Sequence, residues 1–202
     1  MYKLYKIIII FILTINFITF SNAKEQSYKI LKLVNDKVIT NYDLEQRLQL
    51  FALLNNQTIN KDNAKQYANE MLKLMIDEKL QLEQIKKYEV QIQSNEIDDY
   101  IERAFLNSEQ NINDFQNLLI SNNIDINFLI ESLSIQLGWN KLTGQLFYRS
   151  SEINNRDLDE ASKKNPTLSS EQIKNSLIQK QIALRAEKLL RDLRLEANIE
   201  TR

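Results

Sequence analysis

Along residues 30–40 the apolar positions are Ile30, Leu31, Leu33 and Val34, then Val38 and Ile39, with Asn35-Asp36 between them. Asparagine and aspartate tolerate left-handed backbone and bond their own main chain, so the pattern predicts two short strands joined by a tight turn. Thr40 follows, with Asp43 three residues on, in the spacing of a capping box. The helix this opens places Leu44, Leu48, Phe51 and Leu54 on one side.

After the polar joint Asn55-Asn56-Gln57 the period changes to a long helical stripe over residues 62–87. Ala64, Tyr67, Ala68, Met71, Leu72, Met75, Leu82 and Ile85 carry it. Ser94 is placed to cap a third helix bearing Ile97, Ile101, Ala104 and Phe105. Asn113 with Gln116 reads as a capping box for a short helix with Phe115, Leu118 and Leu119. Asp125 caps a fifth helix through Phe128, Leu129, Leu133, Leu137 and Trp139, ending near Gly144 or Phe147.

Residues 149–169 are polar and contain Pro166, the single proline, which reads as a linker with a short helix over 152–162. Ser169 and Gln172 then cap a final helix over 170–195, with Ile173, Leu177, Ile178, Ile182, Leu189 and Leu193 along it. Ala197 to Glu200 turns extended. A two-stranded hairpin alone is marginal in water, so the segment around Ile199 is expected to add a third strand and close the chain's end onto its beginning. The fold class expected is mainly α, a multi-helix domain with a small hairpin joined by a C-terminal strand.

The start of the chain follows another rule. Lys3 and Lys6 precede an apolar run at residues 7–20, and Ser21-Asn22-Ala23 supplies small residues. This is the tripartite secretory signal pattern, with cleavage expected between Ala23 and Lys24. The run falls short of the roughly 20 residues a bilayer span needs, which favours cleavage over retention as an anchor. Removing residues 1–23 takes two lysines and leaves 24 basic against 27 acidic side chains. That mixed, mildly acidic balance argues against nucleic acid as a partner. Export without any cysteine fits a bacterial periplasm.

Composition removes several chemistries. The chain has neither histidine nor cysteine, which excludes Ser-His-Asp and Cys-His nucleophiles and the usual zinc sites. Gly138 and Gly144, its two glycines, cannot make a phosphate-binding loop. The acidic clusters Glu96, Asp98, Asp99, Glu102 and Asp157, Asp159, Glu160 lack calcium-loop spacing and read as solvated faces. No catalytic, cofactor or metal residue is therefore assigned. An acid-pair hydrolase needs only two carboxylates and is the most distant alternative. Most aromatics sit on apolar stripes and read as core. Trp139 and Phe147, beside the polar segment, are the first candidates for an open peptide-binding groove, with Phe128 and Phe105 after them.

The segment VNDKVITNYDLEQRL, residues 34–48, closely resembles the start of mature members of the SurA family of periplasmic chaperones. The likeness continues in LKLMIDEKLQLEQIKKYEVQIQSNEIDDYI (72–101) and FQNLLISNNIDINFLIESLSIQLGWNKL (115–142). It resumes in ALRAEKLLRDLRLEANIE (183–200), which looks like that family's closing helix and strand. The resemblance implies a helical chaperone domain over 24–148 and a C-terminal helix and strand over 170–202 that pack back on it. Family members usually carry parvulin prolyl-isomerase domains between these halves, and parvulin sites rely on histidines. Here the polar residues 149–169 occupy that place, so isomerase activity is not carried over. The implied function is nucleotide-free holding of unfolded outer-membrane protein segments in the periplasm, with no cofactor and with other polypeptides as partners. The alternatives are a member that keeps isomerase activity and a structural envelope-assembly protein with one dedicated partner.

Overall fold

A computed structural model describes residues 28–105, without the side chain of Phe105, and residues 111–202. The expected signal segment and its cleavage point lie outside the described residues. The chain opens with β1 (Ile30–Val34) and β2 (Lys37–Thr40), then α1 (Asn41–Leu54), α2 (Ala64–Lys87) and α3 (Ser94–Phe105). It continues with α4 (Ile112–Ser121), α5 (Ile126–Phe147), a 3₁₀ turn (Tyr148–Ser150), α6 (Asn155–Lys164), α7 (Ser170–Glu196) and β3 (Ile199–Thr201). The fold is mainly α with one small antiparallel sheet.

That sheet has the order β2-β1-β3. In β1, Leu33 faces Val38 and Val34 faces Lys37 on one side, while Val34 faces Ile199 and Lys32 faces Thr201 on the other. Asn35 adopts φ 52 in the hairpin turn, a left-handed conformation that asparagine tolerates. Its side-chain oxygen accepts from Asn198 N at 3.0 Å, and its own N–H donates to Asn198 O at 2.8 Å. The turn residue that shapes the hairpin thus also receives the far end of the chain. The expected third strand is present.

Three apolar clusters hold the helices together. Val34 and Ile39, each 0% exposed, cover Met75 and Leu80 of α2, with Leu190 and Leu193 of α7 alongside. A second cluster joins Ile85 of α2, Ile135, Trp139 and Leu142 of α5, and Ala186 of α7. A third gathers Leu50 of α1, Ile97 and Ile101 of α3, Phe115 and Leu119 of α4, and Leu129 and Leu133 of α5. α5 runs through two of them, which is why apolar residues appear all round it. At Gly138 a Cβ would lie 2.9 Å from Ile85 Cδ1, so the glycine permits the close approach of α2 and α5.

Local boundaries differ from the sequence expectation at identifiable places. The box before α4 is Asn111 with Asp114, whose N–H donates to Asn111 Oδ1 at 3.0 Å, not Asn113 with Gln116. Both pairs fit the same spacing, and the one two residues earlier captures the helix start. Ser94 lies in the first turn of α3, where Glu96 reaches back to Gln93 N at 2.9 Å. In the polar segment, Asn154 caps a helix at 155–164 through Asp157 N at 2.8 Å, and this α6 packs on α7. On α1, Leu54 is exposed, and the buried residues are Gln46 and Leu50.

Candidate functional site

The site is built around α1, a helix with apolar residues on opposite faces. Thr40 ends β2 and caps α1 directly: its Oγ1 accepts from Asp43 N at 3.2 Å, and Asp43 Oδ2 accepts from Thr40 N at 2.8 Å. No loop separates strand from helix, so the sheet fixes the direction of α1. At the other end Asn56 takes φ 50 and Gln57 N donates to Ala52 O at 2.9 Å, the six-to-one bond of a Schellman stop. The stop folds Gln57, Thr58 and Ile59 back beside the helix.

The inner face of α1 is tied down. Gln46 Nε2 donates to Asn123 O at 2.9 Å, and its Oε1 accepts from Asp125 N at 2.7 Å, so one buried amide satisfies the loop before α5. Arg47 forms an ion pair with Glu78 of α2 and donates to Ser132 Oγ of α5 at 2.9 Å. Its guanidinium also lies 5.1 Å from the centre of the Phe128 ring. Burial pushes the Glu78 carboxyl above its ordinary value, and the Arg47 charge opposes that rise. Phe51 stacks obliquely on Tyr67 of α2 at 5.0 Å.

The outer face stays partly open, with Leu44 at its start also packed against the cluster of Val34, Ile39, Met75 and Leu80. Leu44, Leu48 and Ala52, one turn apart, form the floor of a groove with Ile59 on its far wall, and all four are half-buried. Asn41, Gln49, Gln57 and Thr58 make the rim, and Glu45 is the one charged side chain lining it. The groove is a shallow, open depression with a cavity volume of about 550 Å³. Seating one leucine- or phenylalanine-sized side chain there is worth about 1.5–3 kcal/mol before the cost of ordering the guest. Such contacts are weak singly and add along a chain. α4 presents further apolar surface at Leu118 and at Ile120, which is 69% exposed.

The family model for the SurA-like N-terminal domain matches residues 2–120, more than half of the chain. The chain belongs to the SurA-like family. No curated protein matches it. Among solved structures it is similar to one reported with PEB4 and the periplasmic protein Cj1289, described as structurally related SurA-like chaperones of Campylobacter jejuni. That similarity covers 86% of this chain and 98% of the other, at 15% identity and a TM-score of 0.47.

In this SurA-like chain the aromatic candidates do not converge. Trp139 is 8% exposed and sits in the core between α2, α5 and α7, so it lines no open groove. Phe128 is half-buried beneath Arg47, and Phe147 is half-buried at the end of α5, where its carbonyl accepts from Ser150 Oγ and Ser151 Oγ. Along α5 the helical rise sets Phe128 and Trp139 about 16 Å apart and Trp139 and Phe147 about 12 Å apart. The side chain of Phe105 is outside the described residues. The groove residues Leu44 and Leu48 were visible in the sequence as a helical stripe, but that stripe reads equally well as core. Ala52 and Ile59 carry no signal of their own. Among the described residues no group of three or more carboxylates could hold a metal, and no helix is long and apolar enough to cross a membrane.

Proposed function

We propose that this protein is a nucleotide-independent chaperone of the periplasm that holds unfolded outer-membrane protein segments, with the α1 groove as a principal contact. One observation carries the reading: in a chain of the SurA-like family, α1 is anchored on its inner face and leaves a shallow apolar groove open on its outer face. Holding requires no bond to be made or broken. Bound segments are removed from the pool that aggregates, and the protection scales with chaperone concentration over the dissociation constant. Shallow aliphatic contacts along a groove favour rapid release over tight capture. The secretory pattern of residues 1–23 supports delivery to the periplasm. Residues 148–169, folded as a short turn and α6, support a holding role without the isomerase unit usual in the family.

The test is suppression of aggregation of an unfolded outer-membrane barrel by residues 24–202, followed by light scattering. The protein is expected to lower the scattering in proportion to its concentration. Leu48→Gln is expected to weaken protection several-fold while leaving the thermal melt close to wild type. Equal protection by Leu48→Gln would remove the groove from the mechanism, and no protection by the parent protein would remove the chaperone reading.

A further inference from the structure

Glu45 stands apart from the other acids near α1. Asp43 Oδ2 accepts from Thr40 N at 2.8 Å and from Thr40 Oγ1 at 2.9 Å, and Glu78 is paired with Arg47. Among the described residues Glu45 takes part in no hydrogen bond or ion pair, and it is exposed on the rim of the α1 groove. The rest of the rim is neutral, with Asn41 one turn before it, Gln49 one turn after it, and Gln57 and Thr58 beyond. The field at this end of α1 is negative. The Tyr42 hydroxyl is pushed above its ordinary value first by burial and then by Asp125, Tyr28, Asp43 and Glu45, each of which resists a further negative charge there.

We propose that the α1 groove selects extended polypeptide segments in which a lysine or arginine stands beside the aliphatic residues, with Glu45 receiving the cation. This rests on the reading of the groove as the client-binding surface and names which segments it prefers. The spacing of the floor suits an extended guest. Leu44, Leu48 and Ala52 follow one another at about 6 Å along the helix axis. Side chains on one side of a strand repeat at about 6.7 Å, so successive same-side residues of an extended guest meet the three in turn. Glu45 is next to Leu44 in the chain and one turn from Leu48, with about 6 Å between the β-carbons of Glu45 and Leu48. A lysine or arginine stem lies along an aliphatic floor while its charged head reaches such a carboxylate.

Charge then decides among guests of equal apolar content. An exposed ion pair raises affinity by a modest factor, about two- to fivefold, and a like charge in the same place loses a similar factor. A basic guest should therefore bind about tenfold more tightly than an acidic one, a preference that fades as salt screens the pair. The apolar floor sets whether a segment binds, and Glu45 sets which segment.

The test uses residues 24–202, which include every described residue, and two dye-labelled peptides of one alternating aliphatic and polar pattern. One peptide carries lysines at its polar positions and the other carries glutamates. Anisotropy titration at low salt is expected to show the lysine peptide bound about tenfold more tightly. Glu45→Gln should bring the two within about twofold, and Glu45→Lys should reverse their order. Asp159→Lys, the same change of charge at an exposed position of α6, should leave the order as it is. Equal affinity for the two peptides in the parent, or the same response to Glu45→Lys and Asp159→Lys, overturns the proposal. If the affinities are equal and Leu48→Gln still weakens both peptides, the groove remains the binding surface and only selection by Glu45 falls. If Leu48→Gln weakens neither, the reading of the groove falls with it.

Discussion

The ion pair of Arg47 with Glu78 joins α1 to α2, with side chains 13% and 22% exposed. Arg47→Met keeps much of the aliphatic stem, gives up the guanidinium over the Phe128 ring, and leaves the Glu78 carboxylate buried without its counter-charge. Breaking a buried pair from one side costs about 3–5 kcal/mol. Because a fifth of the Glu78 side chain still reaches water, the lower end, about 3 kcal/mol, is expected at pH 7.5. Urea unfolding followed by far-UV circular dichroism reads this as a midpoint lowered by about 1.5 M for a slope of about 2 kcal/mol per M.

The pH dependence carries the sharper test. Burial already raises the Glu78 carboxyl above its ordinary value of 4.5, so the native state holds the extra proton in the window above that value. A raised acid contributes its stability in full below the unfolded value and loses it as pH rises through the folded one. Removing Arg47 takes away the main force opposing the rise and moves the folded value higher still. The penalty of Arg47→Met should therefore shrink between about pH 7.5 and about pH 5, as Glu78 takes up its proton. Adding Glu78→Gln to Arg47→Met should recover much of the loss at the higher pH. A penalty equal at both pH values, with no recovery in the double variant, would show that the pair matters for packing alone.

The other predictions concern the closure of the fold and its close contacts. Deleting residues 198–202 removes the β3 ladder and the Asn35–Asn198 bonds. It is expected to cost about 2–3 kcal/mol at about 1 kcal/mol per net hydrogen bond, with faster hydrogen exchange at the β1 amides. Gly138→Ala and Gly144→Ala form an internal comparison. The first puts a Cβ 2.9 Å from Ile85 Cδ1, whereas the second meets nothing within 4 Å. Both gain roughly 1 kcal/mol of helix propensity, but overpacking of about 1–3 kcal/mol opposes the first. Gly144→Ala should therefore raise Tm by about 2–4 °C, and Gly138→Ala should leave it unchanged or lower it. Gln46→Leu strands Asn123 O and Asp125 N and is expected to cost about 1–3 kcal/mol in chemical unfolding. Lys141→Met should return the Glu96 carboxyl, now held low chiefly by its hydrogen bond from Lys141, toward the ordinary range in an NMR titration.

Period and caps made most of the helical order legible. Thr40 with Asp43, Asp125, and Ser169 with Gln172 are caps in the structure as in the sequence, because each is a local pattern satisfied by its own backbone. The third strand was legible for a different reason: a lone hairpin needs a partner, and one extended segment remained at the far end. What local pattern cannot display is which side of an apolar element a distant segment covers. Trp139 reads as exposable until α7 lays Ala186 against its cluster. Gln46 reads as surface because its partners, Asn123 O and Asp125 N, lie more than seventy residues away. Leu44 and Leu48 share one stripe, yet Leu44 also packs against the cluster of Val34, Ile39, Met75 and Leu80, while Leu50 and Leu53 on the opposite side join the cluster of α3, α4 and α5.

α1 is the natural place for an open groove because its position is overdetermined elsewhere. Thr40 joins it to the sheet without a loop, Gln46 and Arg47 hold it to the α5 side and to α2, and Leu50 seats it in the core. A helix fixed on so many sides need not bury its remaining apolar face to stay in place, so that face is free to be wet, and to exchange water for another chain's side chains. The frame that permits this includes β3, far along the chain from α1. β3 pairs with β1, β1 with β2, and β2 runs into α1, so the sheet that aims the groove is completed only when β3 has joined it. Aim and closure are therefore one property. Loosening Ile199 from Val34 should reach the groove through three strands and one cap, without touching a residue that lines it.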